Sequence, residues 1–162
     1  MSLDFTTRPD TEKINFKKRL LNACLAIIRE RMEYTAAQVE NAQLAANSVE
    51  KSSAGDKYET SRAMSHLEKD MYAKQLAQTR QELALLMETN CSQVNLEAAK
   101  GAVVVCGQDI FFLAAGLGKF QFEESTILVL SPFAPMGRLL VGKKAGDEVV
   151  FNKKRVVIEQ VF

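Results

Sequence analysis

Proline and glycine are nearly absent from the first half of this chain. Between Thr11 and Lys100 there is no proline and only one glycine, Gly55. These are the strongest helix breakers, so the gap permits two long helices with one interruption, Ser52-Ser53-Ala54-Gly55-Asp56. Cysteine is also scarce. Cys24, Cys91 and Cys106 form no C-x-x-C pair and are odd in number, which argues against a disulfide framework or a zinc site and points to reduced thiols in a cytoplasmic setting. The start, Met1 to Asp10, has no apolar run of the kind a signal peptide needs, and no stretch approaches the ~18 apolar residues that span a bilayer. A net charge of +1 gives no general attraction for nucleic acid or membrane. There is one histidine, His66, placed on a helix two turns from the interruption, and nothing sets it beside Cys106 as a nucleophile's base.

What is present divides into two parts. Residues 1–10 read as a polar, poorly ordered lead-in. Residues 11–92 read as an antiparallel coiled-coil hairpin with its tip at 52–60, and 93–162 as a small β domain. Asp10 or Thr11 caps the first helix, which is expected to run to Val49 or Glu50 with the seam Leu21, Leu25, Ile28, Met32, Thr35, Val39, Ala42, Ala46, Val49. The steps alternate four and three, the repeat of a coiled coil. The second helix is expected from Asp56 to near Asn90, with Met64, Leu67, Met71, Leu76, Leu83 and Leu86 in its seam and a one-residue slip after Met71. Helices of roughly 32 to 40 residues would be about 50–60 Å long, so most of such a hairpin is expected to project into solvent.

Beyond Asn90 the composition changes. Seven of the 8 glycines and two of the 3 prolines lie there, among β-branched and aromatic runs. Strands are expected at 102–106, 109–114, 119–122, 126–130 and 148–151, with a final strand at 155–162. A short helix fits 135–141, with Pro135 in its first turn and Gly142 as its stop. The fold class is α+β, with a small antiparallel sheet.

The stretch Ala134-Pro135-Met136-Gly137-Arg138-Leu139-Leu140-Val141-Gly142-Lys143-Lys144-Ala145-Gly146-Asp147 resembles the C-terminal signature of Gre-type transcript cleavage factors, Ser-Pro-x-x-Arg-x-Leu-x-Gly-Lys-x-x-Gly-Asp. Ala134 stands where the family has Ser. The order of the two parts is similar too, since that family carries a coiled coil followed by an FKBP-like domain. Its tip pattern, Gly-Asp-x-x-Glu-Asn-Ala-Glu-Tyr, is matched by Gly55, Asp56 and Glu59, while Thr60, Ser61, Arg62 and Ala63 depart from it. The resemblance implies a transcription elongation factor that binds RNA polymerase through its secondary channel and stimulates cleavage of backtracked RNA. The factor would be an accessory to the polymerase's own chemistry, meeting the RNA 3′ end inside it. Asp56 and Glu59 would help hold a Mg²⁺ shared with the polymerase, which alone they would bind weakly. Arg62 would pair with a tip carboxylate or an RNA phosphate, or weaken metal recruitment. Arg138 would be a binding residue, and Lys143 and Lys144 with Lys153, Lys154 and Arg155 make the segment locally basic, either as two solvated turns or as a docking surface for an acidic patch on the polymerase.

Other readings stay open. Asp56-x-x-Glu59 is also a capping box, which needs no metal. A channel-binding regulator without cleavage fits the same residues, as does a coiled-coil adaptor or isomerase-like module unrelated to polymerase. Oligomeric state is open as well, because an exposed seam could pair a second copy into a homo-oligomer.

Overall fold

The computed structural model describes residues 4–50 and 55–162, with side chains at 49, 50 and 55–58 left aside. Two helices make up the first half, α1 (Asp10–Glu50) and α2 (Gly55–Met87). At 1.5 Å per residue they are about 60 Å and 50 Å long. They contact each other as a hairpin, and Arg31, Tyr34 and Thr35 of α1 share a groove with Gln75, Gln78 and Thr79 of α2. Ser52, Ser53 and Ala54 of the expected bend lie outside the described residues, and Gly55 stands first in α2. The chain forms two compact units, Met1–Ala26 with Glu82–Phe162, and Ile27–Gln81.

The seams differ from the sequence reading in instructive ways. On α1, Ile28, Thr35, Ala42 and Ala46 are buried and Met32 and Val39 half-buried, as expected. Nearer the start the buried apolar positions are Phe16, Leu20 and Cys24, the last two one residue ahead of the expected Leu21 and Leu25, which are only half-buried. The first turns of α1 pack against aromatic groups of the β domain, so their phase is set by that surface and not by a coiled-coil repeat. On α2 the expected residues Met64, Leu67 and Met71 are exposed, at 66%, 69% and 47%. The covered positions are instead Ser65, Lys69, Tyr72, Leu76, Thr79, Leu83 and Leu86. Their steps alternate four and three without a slip. A regular repeat anchored at Leu86 thus decides which face turns inward, and it leaves the stronger hydrophobes of the outer turns outside.

Seven short strands and one helix follow: β1 (Val103–Cys106), β2 (Asp109–Leu113), β3 (Gly118–Phe122), β4 (Ser125–Leu130), α3 (Pro135–Leu140), β5 (Glu148–Phe151), β6 (Lys154–Val157) and β7 (Gln160–Val161). Five strands form one sheet in the order β3-β4-β2-β1-β7, and β5 and β6 form a separate hairpin. The expected antiparallel sheet is mixed, because β2 and β4 run parallel. The chain leaves β2, turns back as β3, and pairs β4 antiparallel between them, so β4 enters beside β2 in the same direction. The expected single strand at 155–162 is two strands in different sheets. The break falls at Ile158 and Glu159, whose N–H groups donate to Asp147 and Val105 carbonyls. The β5–β6 turn is made by Asn152 and Lys153, both at positive φ (50° and 64°), the conformation of a two-residue hairpin turn.

Both faces of the large sheet are covered. On one face Val104, Cys106, Phe111, Leu113 and Leu130 pack with Met136 and Leu140 of α3, Val149 of β5 and Ile158. On the other lie Val103, Val105, Phe112, Ile127 and Val129, all buried. An aromatic cluster closes that side of the unit. Phe16 meets Phe122 and Phe162 at ring distances of 5.6 and 6.2 Å, and Phe5 meets Phe16 and Phe162 at 4.8 and 4.7 Å. Within the segment expected to be a poorly ordered lead-in, Phe5 is therefore buried, and its N–H donates to Gln160 Oε1.

Gly101 fixes the entry to β1. Its φ is +91°, and an added Cβ would overlap the carbonyl oxygen of Asn90. Gly101→Ala combines a disfavoured backbone conformation with that overlap, and is expected to cost at least about 2 kcal/mol in urea unfolding.

Candidate functional site

The tip residues belong to the first turns of α2. Asp56 lies in the first turn, with its side chain outside the described set, so the expected capping box is not part of the described structure. Glu59 is exposed, and Arg62, one turn further on, is exposed and engaged in an interaction. A spacing of three puts Glu59 and Arg62 on one side of the helix. His66 is also exposed. Among the described residues no three His, Cys, Asp or Glu side chains gather as a cation site.

The signature segment has a physical reason at nearly every matched position. Ala134 is the N-cap of α3, in extended conformation and without a side-chain cap, and Pro135 opens the helix where its missing N–H costs nothing. Leu140 is fully buried against the sheet. Gly142, at φ +80°, reverses the chain, and its N–H donates to the Ala98 carbonyl at 2.7 Å. Lys143 returns the bond, its carbonyl accepting the Ala98 N–H at 2.7 Å. Gly146, at φ +93°, donates to Ile158, and Asp147 Oδ2 accepts the Lys144 N–H at 2.8 Å. The motif is thus a helix, its stop and a closed turn that ties α3 to residue 98 and to the last strands.

Three matched or neighbouring side chains have no such task. Arg138 and Lys144 are exposed, Lys143 is half-buried, and none makes a side-chain hydrogen bond or ion pair among the described residues. Beside them Phe133 is 71% exposed, and Leu139 and Val141 are also exposed. The segment therefore presents cations next to apolar side chains. Glu59 and Arg62 belong to the unit 27–81; Arg138, Lys143 and Lys144 belong to the other.

Lys17 was not singled out by sequence reasoning. It is fully buried on α1, and its Nζ donates to the Gln93 carbonyl at 2.8 Å and to Asn95 Oδ1 at 2.7 Å. Desolvation pulls its pKa down to about 8, with the neighbouring Cys91 acting the other way. The signal was available: Lys17 shares a helix face with Leu20, Cys24 and Ile28, which marks a lysine set into an apolar stripe. The three thiols are buried and free. Burial drives Cys24 and Cys106 up to about 12 and raises Cys91 as well. Such thiols are poor nucleophiles, so Cys106 acts as a small core hydrophobe.

No helix among the described residues is long and apolar enough to cross a membrane. Comparison of the chain with family models, with curated proteins and with solved structures finds no match.

Proposed function

We propose that this protein is a Gre-like factor that binds RNA polymerase through its secondary channel and assists cleavage of backtracked RNA. The observation that carries the reading is the pairing of two features in one chain. One is a long two-helix hairpin whose second helix opens with Gly55-Asp56-Lys57-Tyr58-Glu59, and the other is a β domain holding the signature segment. In this reading Asp56 and Glu59 supply two hard oxygen ligands to a Mg²⁺ whose other ligands belong to polymerase and RNA. The metal would supply activation of water and stabilisation of the leaving oxygen. The exposure of Glu59 supports the role, since a carboxylate that must meet a partner's metal has to reach solvent. Arg138, Lys143 and Lys144, next to Phe133, Leu139 and Val141, form the docking surface, with cations steering and apolar groups anchoring.

A second reading is favoured by Arg62. A cation one turn from Glu59 lowers the tip's attraction for Mg²⁺, which suits a channel-binding regulator that does not promote cleavage. Transcript cleavage in stalled elongation complexes separates the two. Under the first reading the wild-type protein accelerates cleavage. Asp56→Ala and Glu59→Ala each reduce that acceleration at least tenfold while leaving co-purification with core polymerase intact. Binding without acceleration selects the second reading, and absence of binding removes both.

A further inference from the structure

The face of the large sheet that carries the core runs on past its cover. Lys119, Leu128, Phe111 and Val104 are paired in one row across β3, β4, β2 and β1, and so point to the same side. Val104 and Phe111 are buried in the core, Leu128 lies at its margin, and Lys119 is exposed. Opposite this row stands the inner side of the β5–β6 hairpin, with Phe151 and Val156. Between the two walls is a cavity of about 430 Å³, open to solvent and floored also by Met136 of α3. That volume is in the range of small-molecule sites, and the pattern of an apolar floor with a few polar rim groups is theirs too.

The rim fixes the chemistry of the occupant. Lys119 stands on the sheet wall and Lys154 on the hairpin wall, and neither has an ion-pair or hydrogen-bond partner among the described residues. The rim's carboxylate, Asp109, is on β2, two strands from Lys119, and makes no ion pair with either lysine. Two unpaired lysines lining one cavity with an aromatic and aliphatic floor are complementary to one anionic head on an apolar body.

We infer that the cavity between the sheet and the β5–β6 hairpin binds a small amphipathic carboxylate, with its head between Lys119 and Lys154 and its body on Phe111, Leu128, Met136, Phe151 and Val156. Such a ligand bridges the sheet and the hairpin, which belong to separate hydrogen-bonded sheets. Occupancy would therefore stiffen the hairpin against the domain. The site is independent of the tip and stands whether or not the chain acts on polymerase.

The test is a titration of the full chain with decanoate below its micelle concentration, followed by backbone amide NMR shifts. The expected result is saturable, submillimolar binding, with shifts centred on 108–111, 126–128 and 151–156. Lys119→Glu and Lys154→Glu should each weaken it about three- to tenfold, without lowering the urea midpoint, because both side chains are exposed. Decanol, with the same body and no charge, should bind more weakly by a similar factor. No saturable binding, equal affinity for decanol, indifference to both substitutions, or shifts centred on Met64, Leu67 and Met71 of α2 would each overturn the inference.

Discussion

Raising the pH from 9 to 11 will remove at least about 2 kcal/mol of this protein's stability, through three buried thiols. In the unfolded chain a cysteine releases its proton near 9.0, whereas Cys24 and Cys106 in the folded protein hold theirs to about 12 and Cys91 is shifted the same way. Within that window the unfolded state binds fewer protons than the folded one, so stability falls as pH rises. Cys24 and Cys106 each contribute a slope of roughly 1 kcal/mol per pH unit, and Cys91 adds to the loss in the same direction. Lys17 opposes the trend. Its folded pKa lies near 8 against an ordinary 10.5, so between those values the unfolded state holds the extra proton and stability rises with pH. One amine against three thiols leaves stability nearly level from pH 8 to 9 and gives a net loss above it. Urea midpoints taken at half-unit steps with reductant present will trace this shape. Cys24→Ala together with Cys106→Ala should flatten the loss. Lys17→Met, which removes the buried ammonium and keeps its stem, should start the loss from pH 8 and steepen it above 9. A flat profile from 9 to 11 in the wild-type chain would mean that the thiols titrate as freely folded as unfolded.

The second large effect separates the core of the β domain from the faces of α2. Phe16 is buried to 1% exposure, with its ring against Phe5, Phe122 and Phe162, so Phe16→Ala leaves a cavity where three aromatic side chains converge. Such truncations cost about 3–5 kcal/mol. Leu67→Ala removes a larger aliphatic group than many core changes do, yet Leu67 is 69% exposed and should cost less than about 0.5 kcal/mol. The contrast matters because a heptad reading that puts Leu67 in the seam predicts a loss of ~2 kcal/mol or more. Chemical unfolding of the two variants, compared with Leu76→Ala on the covered face, tests the phase of the hairpin directly. Leu67→Ala should also leave any polymerase binding unchanged if the exposed stripe is idle.

These two results also mark where sequence stops informing structure. The long helices were legible because Gly55 is the lone breaker between Thr11 and Lys100. The strands were legible where β-branched runs meet glycine, as at Gly107, Gly118 and Gly146. The phase of α2 was not, since Met64, Leu67 and Met71 make a better apolar stripe than Ser65, Lys69 and Tyr72. Only the repeat continued from Leu86 decides between them. The parallel β2–β4 pairing was not legible either, because partner choice among short strands is set by the whole sheet and leaves no local mark. The run from Arg155 to Phe162 has no proline or glycine to announce its division. Of the candidate site, the α3 motif was legible in detail because Pro135, Gly142 and Gly146 each answer a backbone requirement. Phe5 and Lys17 escaped because each contradicts the composition around it, an aromatic in a polar lead-in and a cation in an apolar stripe.

The central proposal concerns where Glu59 goes when the protein acts, and one measurement addresses that place directly. A photoreactive side chain installed at position 59, with the rest of the chain intact, is irradiated in a stalled, backtracked elongation complex, and the cross-linked nucleic acid is identified. A hairpin that enters the secondary channel predicts a cross-link to the RNA 3′ end, lost when the transcript is not backtracked. A photoreactive group at 59 that labels only the polymerase exterior, or nothing, while one at 138 still labels polymerase, would contradict it.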